Sequence, residues 1–185
     1  MKIDAEGWLD GVRRIVSPNQ DARVEGMAID MVVIHSISLP PGEFGGDGPI
    51  RLFTNTCDPA VHACFEELQH VRVSAHFFVR RDGEIIQFVP CLARAWHAGV
   101  SRWQGRERCN DFSIGIELEG GDAWPYEAAQ YHALDGLLAA LAEAYPIRHL
   151  LGHCHIAPER KTDPGPYFNW ERYPATFQAG RDVSG

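Results

Sequence analysis

The chain has 185 residues, of which 45% are hydrophobic and 23% are charged, and its formal net charge at pH 7 is −8. This length suits one domain that buries a sizeable core. The acidic balance argues against a nucleic-acid binder, whose surface would be basic, so we expect no nucleic-acid partner. No stretch of about 18 apolar residues occurs, so we expect no membrane span.

The cysteines and the first residues of the chain indicate the cellular compartment in which the protein is expected. Five cysteines are an odd number and form no CxxC pair, and the first residues lack the apolar region of a signal peptide. We therefore expect reduced thiols in a cytoplasmic protein, not a disulfide framework.

The first part of the chain predicts one buried strand that ends in a histidine. Residues 1–30 are mixed and polar, and we expect an arm packed on a single domain that covers residues 1–185. Residues 31–34 are apolar and mostly β-branched, which is typical of a buried strand. His35 follows them, so its side chain is held rigidly and can face a cleft. The alternative is a histidine bonded to a backbone carbonyl.

The next segments predict a loop, a helix and a hairpin. The Gly and Pro content of residues 36–49 indicates a long irregular loop. Asp58-Pro59 is a typical helix start, and apolar residues follow at helical spacing to about His70. Two apolar runs flank Asp82-Gly83, the pair preferred in a type I′ turn, so we expect a β-hairpin there.

A second strand and the residues before it supply polar side chains. Trp96 and His97 are candidates for lining a pocket, whereas the arginines after them fit a solvated loop. Residues 112–120 predict a strand in which Gly115 allows another group to approach closely. Glu117 in this strand either faces solvent or is half-buried, and burial would raise its pKa toward that of a useful general base.

The loop of residues 152–166 carries the strongest sign of chemistry. It follows a predicted core helix, and a Pro-Gly-Pro sequence closes it, which indicates an ordered loop and not a helix. His153 and Asp163 are possible metal ligands, and Lys161 is close by. A catalytic zinc site typically has three protein ligands and an open position, and His35 is the best candidate for the third. The alternative is that these side chains bind nothing, as most histidines do. The last residues, 178–185, we expect to be frayed.

Six segments together resemble the AmpD-type amidases, which are cytosolic zinc 1,6-anhydro-N-acetylmuramyl-L-alanine amidases of bacteria. The resemblance runs from Gly7 to Trp170 and is carried by residues 35–46, 72–76, 80–85, 94–99, 105–120 and 152–166. It implies an α/β (α+β) fold of one domain, with a mixed β-sheet flanked by helices, related to peptidoglycan-recognition domains.

The resemblance also implies roles for individual residues. By it, His35, His153 and Asp163 bind one Zn²⁺ ion per chain, and Glu117 and Lys161 are the catalytic pair. It further implies four contacts to the polar groups of the substrate: Arg72, Arg108, Trp96 and His97.

The implied activity is hydrolysis of the amide bond between 1,6-anhydro-N-acetylmuramic acid and L-alanine in muropeptides. We expect a bacterial cytoplasmic monomer whose partner is the anhydro-muropeptide substrate, with no membrane partner. Such an enzyme recycles cell-wall fragments and can silence the signal that induces β-lactamase.

Two residues depart from the family pattern. Ser36 stands where the family usually has Asn after the first histidine ligand, so one hydrogen bond is expected to be lost or mediated by water. His155 stands where the family usually has Asp, which is expected to weaken the support of a ligand or to compete for metal. Neither change touches the three ligands or the catalytic pair.

Three alternatives stay open. One is a recognition module that binds muropeptides without cutting them, although such relatives usually lack a ligand. Another is a cysteine hydrolase that uses Cys154 between His153 and His155, although sequence neighbours rarely form a nucleophile and base pair. The third is a secreted wall amidase, which the missing signal peptide disfavours.

Overall fold

The computed structural model describes residues 1–173, so the expected frayed end at residues 178–185 lies outside the described residues. The helices and strands, in chain order, are β1 (Arg13–Arg14), β2 (Gln20–Ala22), β3 (Met31–Ile37), α1 (Gly48–Phe53), β4 (Phe77–Val79), β5 (Ile85–Gln87), β6 (Ala93–Ala95), β7 (Arg102–Trp103), β8 (Arg106–Glu107), β9 (Ser113–Glu119), α2 (Ala128–Ala144), β10 (His149–Gly152) and α3 (His153–Ile156). Within residues 1–173, the helices are too short or too polar to cross a membrane.

Six of these strands form one mixed sheet in the order β1-β5-β4-β9-β3-β10. The four neighbours β4, β9, β3 and β10 run parallel, whereas β5 is antiparallel to β4 and β1 is parallel to β5. The neighbouring strands β3 and β9 are buried almost along their whole length, which their continuous apolar sequences favour. The N-terminal residues thus add β1 to the edge of the sheet.

Helices cover both faces of this sheet. On one face, α2 packs Leu134, Leu137 and Leu141 against alternate residues of β3 and β9. On the other face, α1 contributes Leu52 and Phe53 to a second apolar cluster. The predicted fold class, one domain with a mixed sheet flanked by helices, is therefore confirmed.

The sheet register determines where the polar residues meet. His35 lies directly beside Glu117, and Ile34 lies beside Gly152, the residue before His153. The carboxyl ends of three adjacent parallel strands therefore bring these side chains to one edge. In open α/β sheets this edge is where ligands bind.

Two local predictions are wrong. No α-helix begins at Asp58: its carboxylate accepts a hydrogen bond from the Ala60 N–H, and the only helix between it and residue 71 is a short 3-10 helix at Ala63–Phe65. Val61 is exposed there, so the apolar spacing does not form one buried face. The hairpin of β4 and β5 is confirmed, but only Gly83 of the expected type I′ pair has a positive φ. The turn instead closes through the Gly83 N–H and the Arg80 carbonyl.

Candidate metal centre

His35 reaches the site from the end of β3. Its side chain is 2% exposed, so the strand and its neighbours fix its position. Its Nδ1 lies 3.0 Å from Asp163 Oδ2 and 3.0 Å from His153 Nδ1. Its Nε2 lies 2.9 Å from His97 Nδ1, on the side of the ring away from His153 and Asp163. Both nitrogens of this histidine therefore lie within 3.0 Å of a polar atom of another side chain.

His153 and Asp163 come from the opposite end of the chain. His153 follows β10 and begins α3, so the expectation that this loop contains no helix is wrong for its first turn. The His153 side chain is 4% exposed, and its Nδ1 lies 3.2 Å from Asp163 Oδ2. Its Nε2 lies 3.0 Å from the Ala98 carbonyl oxygen. Since a carbonyl only accepts, this Nε2 carries the proton and the Nδ1 of the neutral ring has a free lone pair.

The three side chains form a group that can bind a metal ion. One atom of each lies within 4.8 Å of the others. Lone pairs of imidazole nitrogen and an anionic carboxylate repel at such distances unless a cation or a proton lies between them. Two imidazoles and one carboxylate are also a donor set found in catalytic zinc sites. The chemistry of the donors therefore fits a divalent cation.

The protonation states of His35 and Asp163 also fit a site for a divalent cation. Burial lowers the pKa of His35 to about 4, which keeps the ring neutral at neutral pH. Burial alone would raise the pKa of Asp163, but the neighbouring His153 and His35 rings outweigh this and lower it. Metal binding needs neutral imidazole and ionised carboxylate, and the folded protein supplies both.

Glu117 lies on β9 beside His35. It is half-buried, and its Oε2 has no hydrogen-bond partner among the described residues. Burial raises its pKa well above the ordinary value, the Asp163 charge adds to the increase, and Lys161 opposes it. A carboxylate with a raised pKa and a free oxygen is suited to accept a proton near neutral pH.

A cleft of about 460 Å³ opens over this edge of the sheet. Its lining includes Lys161 and Asp163 from the loop of residues 152–166, Ser36 next to His35, and the half-exposed Trp124. The cleft therefore gives a substrate access to the ligand group beside a lysine.

The two departures from the family pattern have structural partners. The Ser36 hydroxyl contacts Tyr126, whose O–H donates to the Pro164 carbonyl at 2.7 Å. His155 Nδ1 accepts the Gly152 N–H at 2.9 Å and so caps the start of α3. His155 is not among the three grouped donors, and it acts here as a cap in place of a carboxylate.

Several supporting residues were missed by the sequence analysis. Arg160 donates from Nη2 to the Ala98 and Val100 carbonyls, at 2.7 and 2.6 Å. Asn110 Oδ1 accepts from the backbone N–H groups of His97 and Ala98. Nothing in the local sequence pattern signals these contacts, because each joins segments far apart in the chain.

Cys154 lacks the properties of a reactive cysteine nucleophile. Burial raises the pKa of its thiol, and the Asp163 charge raises it further. A reactive cysteine requires the opposite shift, because the thiolate is the attacking species. The neighbouring His153 is already held by the Ala98 carbonyl.

The four residues predicted to contact substrate are not among the described residues that line the cleft beside Asp163. Arg72 is exposed and donates to the carbonyls of its own segment. Arg108 is exposed and pairs with Asp111. Trp96 is half-buried, and His97 is 8% exposed behind His35. Their contacts with a substrate stay predictions.

Three comparisons place the chain among known proteins. Residues 25–166 match the family model described as N-acetylmuramoyl-L-alanine amidase. The chain is 57% identical over 170 residues to the 1,6-anhydro-N-acetylmuramyl-L-alanine amidase AmpD of Escherichia coli K12, covering 91% of this chain and 93% of that relative. A crystal structure of a Se-Met AmpD derivative, 56% identical, superposes with a TM-score of 0.89 and covers 97% of this chain and 98% of that one.

A more distant structure contains a bound substrate. The amidase AmiD of Escherichia coli was solved with anhydro-N-acetylmuramic acid-L-Ala-D-gamma-Glu-L-Lys. It is 31% identical, with a TM-score of 0.61, and the match covers 92% of this chain and 63% of that one.

Proposed function

The chain belongs to the N-acetylmuramoyl-L-alanine amidase family, and on that premise we propose that it hydrolyses the amide bond between 1,6-anhydro-N-acetylmuramic acid and L-alanine with one bound Zn²⁺. One observation carries the proposal: three metal-binding donors converge beside a partner-free carboxylate at the edge of a cleft. The name of the Escherichia coli relative and the substrate bound to AmiD support the anhydro-muropeptide as substrate.

His35, His153 and Asp163 would hold the zinc ion. When bound, zinc supplies positive charge that lowers the pKa of water and polarises the amide carbonyl. The residues that surround it then handle the protons and the remaining charge.

Glu117 acts first as base and then as acid. It takes a proton from the water as the water oxygen attacks the amide carbonyl carbon. It then delivers that proton to the nitrogen of L-alanine as the carbon–nitrogen bond breaks. The products are the carboxylate of the muramic acid lactyl group and a peptide with a free amino terminus.

Lys161 stabilises the negative charge that grows on the carbonyl oxygen during attack. It is half-buried in the cleft lining and lies two residues before Asp163 in the chain. Its ammonium group carries a compact charge. A preorganised donor of this kind typically lowers the activation barrier by about 2.7–4 kcal/mol.

The remaining predictions enter the same proposal. Arg72, Arg108, Trp96 and His97 are proposed contacts to the substrate's polar groups. A monomer in the bacterial cytoplasm is proposed, and the five free cysteines, none of them in a disulfide, support a reducing compartment. By removing anhydro-muropeptides, the enzyme would recycle cell-wall fragments and limit β-lactamase induction.

The test is mass spectrometry of anhydro-muramyl-tripeptide incubated with the protein, with and without chelator. Intact muramyl-tripeptide runs in parallel, and zinc is added back after chelation as the control. We expect chelator-sensitive release of the peptide, faster from the anhydro substrate. Equal cleavage of both sugars would indicate a general wall amidase. Inhibition by thiol alkylation but not by chelator would indicate a cysteine hydrolase. Zinc binding without cleavage would indicate a recognition module.

A further inference from the structure

We propose that His97 and Ser113 are positioning residues that hold the His35 ring in the tautomer whose Nδ1 is free to bind metal. The inference rests on the metal site of the proposed function. In addition to its predicted contact with substrate, His97 would orient the His35 ring, which its own ring contacts.

A chain of hydrogen bonds leads from a backbone carbonyl to His35. The Ser113 hydroxyl lies 2.6 Å from the Cys109 carbonyl oxygen and 3.1 Å from His97 Nε2. His97 Nδ1 in turn lies 2.9 Å from His35 Nε2. All three side chains are buried, so water does not compete for these bonds.

The direction of every bond in this chain follows from its first member. A carbonyl oxygen only accepts, so the single Ser113 proton is donated to Cys109. The Ser113 oxygen can then only accept, which places the proton of a neutral His97 ring on Nε2. His97 Nδ1 therefore accepts from the Nε2–H of His35, and the lone pair of His35 Nδ1 faces Asp163.

The opposite tautomer would close the metal site. A proton on His35 Nδ1 would be donated to Asp163 Oδ2, 3.0 Å away, and both ligands would be occupied with each other. Such a bond to a carboxylate is favourable in the absence of metal. Something must therefore oppose it, and the bonds from Cys109 through His97 do so.

Gly115 provides the room that this arrangement needs. It lies on β9 between Ser113 and Glu117, and a Cβ placed on it would lie 2.4 Å from His97 Cγ. The imidazole thus crosses the strand at the one residue without a side chain. The group that approaches Gly115 closely is therefore a side chain, the His97 imidazole.

The second histidine of the proposed metal site, His153, is supported by Ala98, the residue after His97. His153 Nε2 donates directly to the Ala98 carbonyl at 3.0 Å. Asn110 Oδ1 accepts from the backbone N–H of His97 at 3.1 Å and of Ala98 at 2.8 Å. The Asn110 amide thus holds the backbone of two consecutive residues, His97 and Ala98. These two residues accept the Nε2 protons of the two histidines, His35 and His153.

Ser113→Ala is the sharpest variant, because it removes only the oxygen that orients His97. The matched control is Ser17→Ala: Ser17 is equally buried, donates to the Phe53 carbonyl and accepts from the Asn19 N–H, and neither partner belongs to the metal site. Both variants lose two buried hydrogen bonds, so they separate a loss of stability from a loss of orientation. His97→Leu and His97→Asn form a second pair, in which only the Asn amide oxygen can accept from His35.

Two quantities are measured on the full chain: the tautomer of His35 from long-range ¹⁵N–¹H spectra of the metal-free protein, and Zn²⁺ affinity by competition with a chromophoric chelator. We expect the Nε2–H tautomer in the unmodified chain and a shift toward Nδ1–H in Ser113→Ala. We expect zinc affinity to fall roughly 10- to 100-fold, as is typical when a group orienting a ligand is lost. Ser17→Ala should keep both, and His97→Asn should bind zinc more tightly than His97→Leu.

Unchanged tautomer and affinity in Ser113→Ala would overturn the inference, and so would an equal loss of affinity in Ser17→Ala. If the His97 variants do not fold, the serine pair decides. If the unmodified chain binds no zinc, the proposed function fails. The spectra of the metal-free protein would then still decide the tautomer.

Discussion

The two sides of the candidate metal centre are positioned by different kinds of interaction. On the strand side, His35 and Glu117 lie side by side on the central strands, where the backbone ladder sets their spacing. On the loop side, His153 and Asp163 depend on a four-residue helix and on single hydrogen bonds with residues distant in the chain. The strand side is thus built into the fold, whereas the loop side is assembled from separate contacts.

The chemistry is divided between the two sides as well. Each side supplies at least one metal ligand, so the ion would join them. The proposed base lies on the strand side, and the proposed cation, Lys161, lies on the loop side. Substitutions of Glu117 and Lys161 should therefore affect turnover, whereas substitutions of the three metal-binding residues should affect zinc content as well.

Removing the loop-side carboxylate should have the largest effect. Asp163→Ala leaves two imidazoles, one fewer than the three ligands of a catalytic zinc site. We expect zinc content after dialysis to fall to background and cleavage to fall with it. Asp122→Ala, in the same cleft, is the control and should keep its zinc. Stoichiometric zinc in Asp163→Ala would remove Asp163 from the ligand set.

The strand-side base should show the reverse pattern. Glu117→Gln keeps the shape of the side chain but cannot take up a proton. We expect stoichiometric zinc and a decrease of roughly 10²- to 10⁴-fold in turnover, the usual contribution of general acid–base catalysis. Metal analysis and a cleavage assay on the same preparation measure both. Near-normal turnover would show that Glu117 is not the base.

Lys161→Met tests the loop side without touching a ligand. The Met side chain keeps the apolar stem of lysine and removes only the charge. We expect kcat to fall roughly 10²- to 10³-fold with zinc content unchanged, as for the loss of one donor to a developing oxyanion. If KM rose and kcat did not change, Lys161 would bind the substrate in its ground state instead.

Tyr126→Phe probes how much a single contact holds the loop. It removes the buried hydrogen bond to the Pro164 carbonyl, next to Asp163. We expect a loss of about 0.5–1.5 kcal/mol in the free energy of unfolding, with a weaker affinity for zinc. Tyr131→Phe is the control, since its hydroxyl contacts Asn169 and Tyr167 away from the ligands. Equal zinc affinity in the two variants would show that the loop does not depend on this bond.

The smallest expected effect concerns stability and pH. Because burial raises the pKa of Glu117 above its ordinary value of 4.5, the metal-free folded state keeps a proton that the unfolded chain releases. The stability that this proton contributes is present below that ordinary value and is lost as the pH rises through the raised pKa. Glu117→Gln has no such loss. Its Tm in the metal-free state should exceed that of the unmodified chain at pH 7, and the difference should shrink toward pH 4. A constant difference across this range would show that Glu117 is not the cause.

The same division explains what the sequence predicts. Apolar runs predict β3 and β9, with His35 directly after the first run and Glu117 within the second. For the loop, residue type and resemblance to a family predict His153 and Asp163 as metal ligands. Their supports were not recognised, because Asn110 and Tyr126 act across long sequence separations.

The predicted helix after Asp58 failed for a related physical reason. Apolar residues at helical spacing indicate a helix when all of them share one buried face; here Phe65, Cys64 and Leu68 pack in the second cluster, but Val61 is exposed. The actual helix α1 begins at Gly48, next to a loop rich in glycine and proline, where helix propensity is low. Tertiary packing of Leu52 and Phe53 outweighs it.

The crossing of His97 over Gly115 has a consequence for engineering this enzyme. Replacing a strand glycine by alanine is a common way to raise stability, because it reduces the entropy of the unfolded chain. Here an added methyl group would meet the imidazole ring at 2.4 Å. A library selected for thermal tolerance should therefore leave this position unchanged, and one selected for zinc retention should reject substitutions there first.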